Sequence, residues 1–207
     1  MAEYLVNDTD LTSVADSIRA KTGGTEQLVF PSGFKTAIEG IQTGSSATAP
    51  YIEETYDASG NLVDAKMHGQ TSIRAYEFYQ CSNLALISLP ESITDIFSRA
   101  FYDCSKLALT SLPTNLTTIG EYAFYKCSNL TLTSLPTNLT SVGNYAFGNC
   151  IGLTQITFKG KPNSIYSNAF SGCTNLTTIN VPWAEGAVAN APWGATNATI
   201  NYNYTGE

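Results

Sequence analysis

The sequence predicts a β-rich solenoid of five 23-residue coils, with a hairpin cap, a C-terminal cap and a small two-helix N-terminal module in front. Three observations predict it. Cysteine recurs at one fixed interval, and apolar residues recur at the same interval between the cysteines. The 207 residues are also 43% hydrophobic and only 13% charged, which is enough apolar material for a folded body.

The five cysteines define the repeat, because every successive difference between them, for instance 104 − 81, is 23. A phenylalanine stands three residues before each cysteine and a leucine three residues after it. The cysteines are Cys81, Cys104, Cys127, Cys150 and Cys173. A coil of this length cannot bury its own apolar face and has to stack on its neighbours. Residues 72–183 are therefore predicted to form a leucine-rich solenoid.

Each cysteine is predicted to fill an inward position of its coil, because a free cysteine is small and usually buried. A metal site would need closely spaced ligands, whereas these cysteines recur singly and His68 is the one histidine in the sequence. Disulfides between coils are the alternative, since stacked strands lie roughly 4.8 Å apart. The odd number of cysteines and the Cβ separation in a parallel ladder favour reduced thiols.

The unit LTLTSLPTNLTSVGNYAFGNC, residues 130–150, resembles the BspA-like leucine-rich repeat of many bacterial surface proteins. The family pattern runs L-x-x-I-x-L-P, then a short strand ending in I-G, then A-F-x-x-C. The resemblance covers five coils and implies a solenoid that recognises proteins or cell surfaces without a cofactor. The first coil departs from the pattern at Glu77, and the fourth departs at FKGKPNSI; atypical terminal coils are expected in a solenoid.

Caps are predicted at both ends of the solenoid. Residues 51–71 should form a hairpin cap, because two β-prone runs flank the turn sequence DASGN. Residues 184–207 should form the C-terminal cap, with a short helix over residues 184–190 followed by a closing strand. Trp183 and Trp193 are large enough to seal the end of the core.

Residues 1–42 are predicted to form a small helical docking module, because NDTDLTSVADSIRAK and FKTAIEGI both carry apolar residues at helical spacing. So short a segment can hardly bury a core alone, so we expect it to pack on another copy, on a partner or on the solenoid. Residues 43–50, TGSSATAP, are predicted to be a flexible linker.

Both termini resemble a second class of protein. VNDTDLTSVADSIRAKTGG and the ending VPWAEGAVANAPWGATNATINYNY are similar to minor tail-associated structural proteins of phages and prophages of Gram-positive bacteria. The resemblance implies a virion component that is assembled in the cytoplasm and released by lysis. The first residues also lack the basic and apolar regions of a signal peptide, which agrees with that route.

Charge and residue types argue against several functions. The formal charge of −7 and the scattered Lys and Arg residues argue against nucleic acid as a partner. No apolar run is long enough for membrane insertion. Catalysis would need a nucleophile with a base in reach, or converging carboxylates, and the sequence has no such motif. We therefore expect no enzyme activity, no metal and no cofactor.

Two sets of residues are candidate interaction surfaces. The first is a leucine column that the family pattern directs outward, where it would form an apolar stripe; the alternative is that the strand shifts and buries these leucines. The second is a set of tyrosines, whose rings suit sugars or protein surfaces, although β-rich repeats also carry tyrosine for packing. The candidates are Leu86, Leu109, Leu132, Tyr76, Tyr79, Tyr102, Tyr122, Tyr125 and Tyr145.

The sequence therefore predicts a protein that recognises or assembles rather than catalyses. We expect a phage or prophage tail-associated protein whose solenoid contacts a protein or glycan receptor on a cell surface. Other virion proteins, or further copies in a homo-oligomer, would hold its N-terminal module. The alternatives are a BspA-like adhesin on the bacterial cell surface that binds host protein or matrix, and an assembly scaffold with no external ligand.

Overall fold

The computed structural model describes residues 50–206, so the predicted helical module and nearly all of the linker lie outside the described residues. Within this range the chain forms eleven strands and no helix. Apart from β1 and β2, each strand has two to four residues. The strands are β1 (Tyr51–Tyr56), β2 (Leu62–His68), β3 (Ser72–Ile73), β4 (Asp95–Ile96), β5 (Thr118–Ile119), β6 (Ser134–Leu135), β7 (Ser141–Val142), β8 (Gln155–Phe158), β9 (Ser164–Ile165), β10 (Thr178–Asn180) and β11 (Thr199–Asn201).

Parallel pairing between successive coils produces two sheets along the solenoid. β3, β4, β5, β7 and β9 form a five-stranded sheet, and β6, β8, β10 and β11 form a four-stranded sheet. In the five-stranded sheet each strand is in register with the equivalent residues one coil later, so that Ile73 pairs with Ile96 and Ile96 with Ile119. β1 and β2 form a separate two-stranded sheet around the turn at DASGN, as predicted.

The core is a stack of similar layers, one from each coil. The phenylalanine rings lie over one another, with centroids 5.1 Å apart for Phe78 and Phe101 and 5.4 Å apart for Phe101 and Phe124. This spacing follows from the roughly 4.8 Å separation of neighbouring strands. The phenylalanine column is fully buried, and the alanine that precedes it is buried from Ala100 onward.

The cysteines point into the same layers, which confirms their predicted inward position. Four of them are buried, and each of these thiols donates a hydrogen bond to the carbonyl of a phenylalanine in the preceding coil, as Cys127 Sγ does to Phe101 O at 3.0 Å. Cys81, in the first repeat, is only partly buried. The position therefore favours a small apolar residue that still donates a weak hydrogen bond.

The solenoid has about six turns, so the predicted number of five coils is too low. Strand β2 supplies the first segment of a turn. Ala85 N donates to Val63 O of this strand at 3.0 Å, and one coil later Ala108 N makes the equivalent bond to Leu86 O at 3.1 Å. At the other end, Trp193 O accepts a hydrogen bond from Phe170 N at 2.9 Å. Counting cysteines misses the last turn, because that turn carries none.

The C-terminal turn is built without the helix predicted over residues 184–190. The described residues there form successive turns, and Gly186 has a φ of +80°, in the left-handed region that a right-handed helix cannot include. The predicted closing strand is present as β11, which pairs in parallel with β10. Trp183 and Trp193 are buried against Phe158, with ring centroids 5.3 and 6.0 Å from it, and seal the core as predicted.

Candidate binding surface

Tyrosines from successive coils lie side by side on the outside of the solenoid. Tyr76 and Tyr79 expose 53% and 39% of their surface, and the others are partly exposed. They occupy two columns in which equivalent residues are 23 positions apart. We call their members, together with an arginine in the same register, the tyrosine face: Tyr76, Arg99, Tyr122 and Tyr145 in the first column, and Tyr79, Tyr102 and Tyr125 in the second.

The rings of the tyrosine face are in continuous contact. Tyr102 stacks on Tyr79 and on Tyr125, with centroids 4.9 and 5.0 Å apart. Tyr122 stacks on Tyr145 at 5.1 Å and meets Tyr125 edge-on at 5.3 Å, so the two columns also contact each other. Tyr76 joins through Tyr79 at 5.5 Å. The structure thus brings all six tyrosines predicted from the sequence into one surface.

Arg99 belongs to this surface, although a search for aromatic residues does not find it. Its Cζ lies 4.8 Å from the centroid of the Tyr122 ring and 5.6 Å from that of Tyr76, and Nη1 donates to the Tyr76 hydroxyl at 3.2 Å. Such cation–π contacts hold the guanidinium against the rings. Among residues 50–206 no carboxylate lies within ion-pair distance of it, so the charge is available to a partner.

The first column of the tyrosine face has an unusual backbone conformation. The φ angles of Tyr76, Arg99, Tyr122 and Tyr145 are 62°, 56°, 55° and 51°. The left-handed region is costly for large side chains and better suited to asparagine. The same conformation recurs in a second column, at Gln80, Asp103, Lys126 and Asn149 with φ of 57° to 61°, so it belongs to the turns of the repeat.

The leucine column is not a surface. The prediction that Leu86, Leu109 and Leu132 point outward is wrong, because they are 5%, 0% and 1% exposed. In these coils the buried residues follow the spacing L-x-L-x-x-L. The outward position is therefore the residue directly after the second leucine. Ile87, which is 71% exposed, occupies that outward position in the first of them.

The two following coils bury the later position instead. Ile156 and Ile179 are fully buried, whereas Gln155 is exposed. Here the spacing I-x-F or I-x-V has the two-residue period of a regular strand, and β8 accordingly has four residues. The alternative that the strand shifts and buries the leucines is therefore correct.

The buried cysteines are unsuited to chemistry. Burial raises the pKa of the Cys127 and Cys150 thiols well above the ordinary value and that of Cys173 to about 12, so these thiols stay protonated and are poor nucleophiles and ligands. No cluster of His, Cys, Asp or Glu side chains within the described range is placed to hold a metal ion. Nor does that part of the chain contain a helix with the length and apolar content to cross a membrane.

The stacked parallel strands and the inward columns define a leucine-rich-repeat solenoid. The chain belongs to the BspA-type leucine-rich-repeat family, since the sequence profile of the BspA type Leucine rich repeat region matches six copies over residues 58–186. The match confirms the family that residues 130–150 indicate, and six copies agree with about six turns. A comparison with curated proteins finds no match.

Two solved structures of leucine-rich repeat proteins are similar to this chain. One, from Bacteroides ovatus ATCC 8483, is 30% identical, with a TM-score of 0.46; the match covers 53% of this chain and 28% of that one. The other, from T. pallidum, is 23% identical, with a TM-score of 0.50; the match covers 74% of this chain and 79% of that one. The chain thus spans under a third of the B. ovatus protein, and the T. pallidum likeness shows the fold.

Proposed function

We propose that the protein is a non-enzymatic recognition protein whose tyrosine face binds a protein at a cell surface. The observation that carries the proposal is the continuous contact of six tyrosines and Arg99 on the outside of the solenoid. Tyrosine and arginine dominate binding hot spots, because each offers a large contact area with a polar end. Repetition of the face along the solenoid lets a partner contact several coils at once.

The charges of the tyrosine face favour an acidic residue on the partner. The chain has a net charge of −7, yet Arg99 lies in the face and Lys126 Nζ lies 5.7 Å from the centroid of the Tyr125 ring. A partner carboxylate opposite Arg99 would form a charge-assisted hydrogen bond, and the surrounding rings would exclude water from it.

The setting that we favour is a bacterial cell surface, where the protein would act as an adhesin for host protein or matrix. Membership of the BspA-type family supports this setting, because the resemblance of residues 130–150 is to repeats of bacterial surface proteins.

A phage or prophage tail is the second candidate setting. It is favoured by the ending of the chain, residues 181–204, which resembles tail-associated proteins; the similar N-terminal segment lies outside the described residues. In this setting the protein is assembled in the cytoplasm, leaves the cell by lysis and is held by other virion proteins. Peptide mass spectrometry of purified particles from the source strain should detect it, and its absence would contradict the tail setting.

Binding of the labelled full-length protein to intact Gram-positive and Gram-negative bacteria and to immobilised matrix proteins tests the recognition function. We expect saturable binding to a narrow set of these surfaces. Binding to matrix proteins would favour the adhesin, and binding to bacterial envelopes would favour the tail protein. Stable oligomers in light scattering that bind no cell and no matrix protein would contradict recognition and favour a scaffold.

A further inference from the structure

A groove lies next to the tyrosine face, where two successive coils carry glycine between aromatic residues of the same column. The column reads Phe97, Gly120, Gly143 and Tyr166, and each glycine stands two residues before a tyrosine of the face. Phe97 and Tyr166 are 45% and 55% exposed. The groove has a volume of about 330 Å³, with Tyr166 in its wall.

The two glycines are required by the fold, so the groove is a permanent feature. A Cβ on Gly120 would lie 2.7 Å from the backbone of Phe97, and a Cβ on Gly143 would lie 2.6 Å from the backbone of Gly120. Neither position tolerates a side chain without displacing the preceding coil. Phe97 and Tyr166 are three coils apart, roughly 14 Å along the ladder of strands, and so stand at opposite ends of the glycine floor.

Polar side chains line the groove beside Tyr166. Glu121 and Asn144 occupy the same position of successive coils, and Ser141 lies on β7 beside them. A carboxylate accepts hydrogen bonds, while an amide and a hydroxyl both donate and accept. Neighbouring hydroxyls on a sugar ring need this combination, and the apolar C–H face of the same ring packs well on an aromatic side chain.

Other ligand classes fit the groove less well. A peptide strand would need free backbone donors, and the N–H groups of both floor glycines are already used: Gly120 N donates to Ile96 O and Gly143 N to Ile119 O, both at 2.8 Å. A phosphate or an acidic sugar would meet the exposed Glu121 carboxylate in a protein with a net charge of −7.

We propose that this groove binds a neutral oligosaccharide, with Tyr166 in its wall packed on a sugar ring and Glu121 and Asn144 bonded to the hydroxyls. Phe97, which stands in the same column beyond the glycines, would meet a further ring. The proposal rests on the proposed recognition function for its setting. It assigns a different class of ligand to a different set of residues from the tyrosine face.

A broad array of neutral and acidic glycans, probed with the full-length protein, tests this site. We expect binding to neutral glycans that is weakened about tenfold or more by Glu121→Ser and by Tyr166→Ser, since each removes a direct contact. Serine already occupies the Glu121 position in the neighbouring coils as Ser98 and Ser167, so the fold should tolerate it. Tyr56→Ser, which removes an exposed tyrosine of the hairpin, is the matched control and should bind normally.

Binding of no glycan, or of acidic glycans alone, would overturn the proposal. So would glycan binding that is lost in Tyr122→Asn/Tyr125→Ser but kept in Tyr166→Ser, because the sugar would then lie on the tyrosine face. A protein that binds neutral glycans through Glu121 and Tyr166, but binds no cell or matrix protein, would support the groove and contradict the proposed function. The two proposals can therefore fail separately.

Discussion

Single residues of this protein are best understood through the residues at the same position in other coils. Tyr122 corresponds to Asn168, and Tyr125 corresponds to Ser171, so later coils carry small polar residues at these two positions of the tyrosine face. Repeated identity is also what made the phenylalanine and cysteine columns predictable. Arg99 could not be predicted as part of this face, because it occupies the same position in its coil as Tyr76 and Tyr122 but is not aromatic. Only the ring contacts at 4.8 and 5.6 Å show that it belongs with them.

Gly143 should be far more sensitive to alanine than Gly148. The new Cβ at Gly143 would meet the backbone of the preceding coil at 2.6 Å, whereas at Gly148 it would meet the Tyr125 ring at 2.7 Å, and a ring can move. We expect Gly143→Ala to lower the free energy of unfolding by about 1–3 kcal/mol, as overpacking usually does. Urea unfolding measures both variants, and equal losses would contradict the close contact between coils.

Stability should fall when the pH rises above the ordinary thiol pKa of 9.0. Burial raises the pKa of Cys173 to about 12 in the folded protein, and raises those of Cys127 and Cys150 as well. The unfolded chain therefore loses thiol protons first, which favours unfolding; the stabilisation is complete below about pH 9 and is lost progressively toward about pH 12. Urea midpoints measured under reducing conditions should decrease across this range.

The control for this pH dependence is Cys127→Ala/Cys150→Ala, compared with the unchanged chain at each pH. Because the variant lacks two buried thiols, its urea midpoint should decrease less with pH than the midpoint of the unchanged chain. A midpoint that stays constant up to about pH 10, or an equal decrease in both proteins, would mean that the thiols do not ionise differently in the folded and unfolded states.

The elements of the solenoid were less predictable than its columns. The 23-residue interval fixes which residues are equivalent, but it does not fix which of two adjacent residues in a strand points inward. The family pattern therefore predicts an outward leucine column, whereas packing buries Leu109 and exposes the position after it. The prediction of a helix over residues 184–190 is wrong for a local reason, because Gly186 has a positive φ. Trp193 was predictable, since only a large side chain closes an open core.

Leu109→Asp and Ile87→Asp test the orientation of these strands. Leu109 is fully buried, so an aspartate there should lower the free energy of unfolding by more than about 3 kcal/mol. Ile87 is 71% exposed, and the same substitution there should change stability by about 0.5 kcal/mol or less. Thermal unfolding followed by circular dichroism distinguishes them. A well-folded Leu109→Asp with altered native mass would restore the leucine column as an oligomer interface.

At the scale of the whole molecule, the solenoid in the described part of the chain is a stack in which each coil contacts mainly its neighbours. Periodicity revealed this architecture and its family, because stacking forces the same residue types to recur. Periodicity could not reveal the groove at Gly120 and Gly143. The groove becomes visible only when the coils are stacked and the two glycines lie between the exposed aromatic residues of the same column. The number of turns was missed for a related reason: the last turn keeps the stacking through Trp193 without the cysteine that marks the others.

The tyrosine face is the central claim at this scale, and the dissociation constant of Tyr122→Asn/Tyr125→Ser for the best-bound cell or matrix protein tests it most directly. Asparagine suits the left-handed backbone at Tyr122, and serine occupies the Tyr125 position of a later coil as Ser171, so the circular dichroism spectrum should not change. Arg99→Asn, which also suits the left-handed backbone, is a second variant, and Tyr56→Ser is the control. We predict binding at least about tenfold weaker for both face variants and unchanged for the control. Folded variants that bind as tightly as the unchanged protein would contradict the claim.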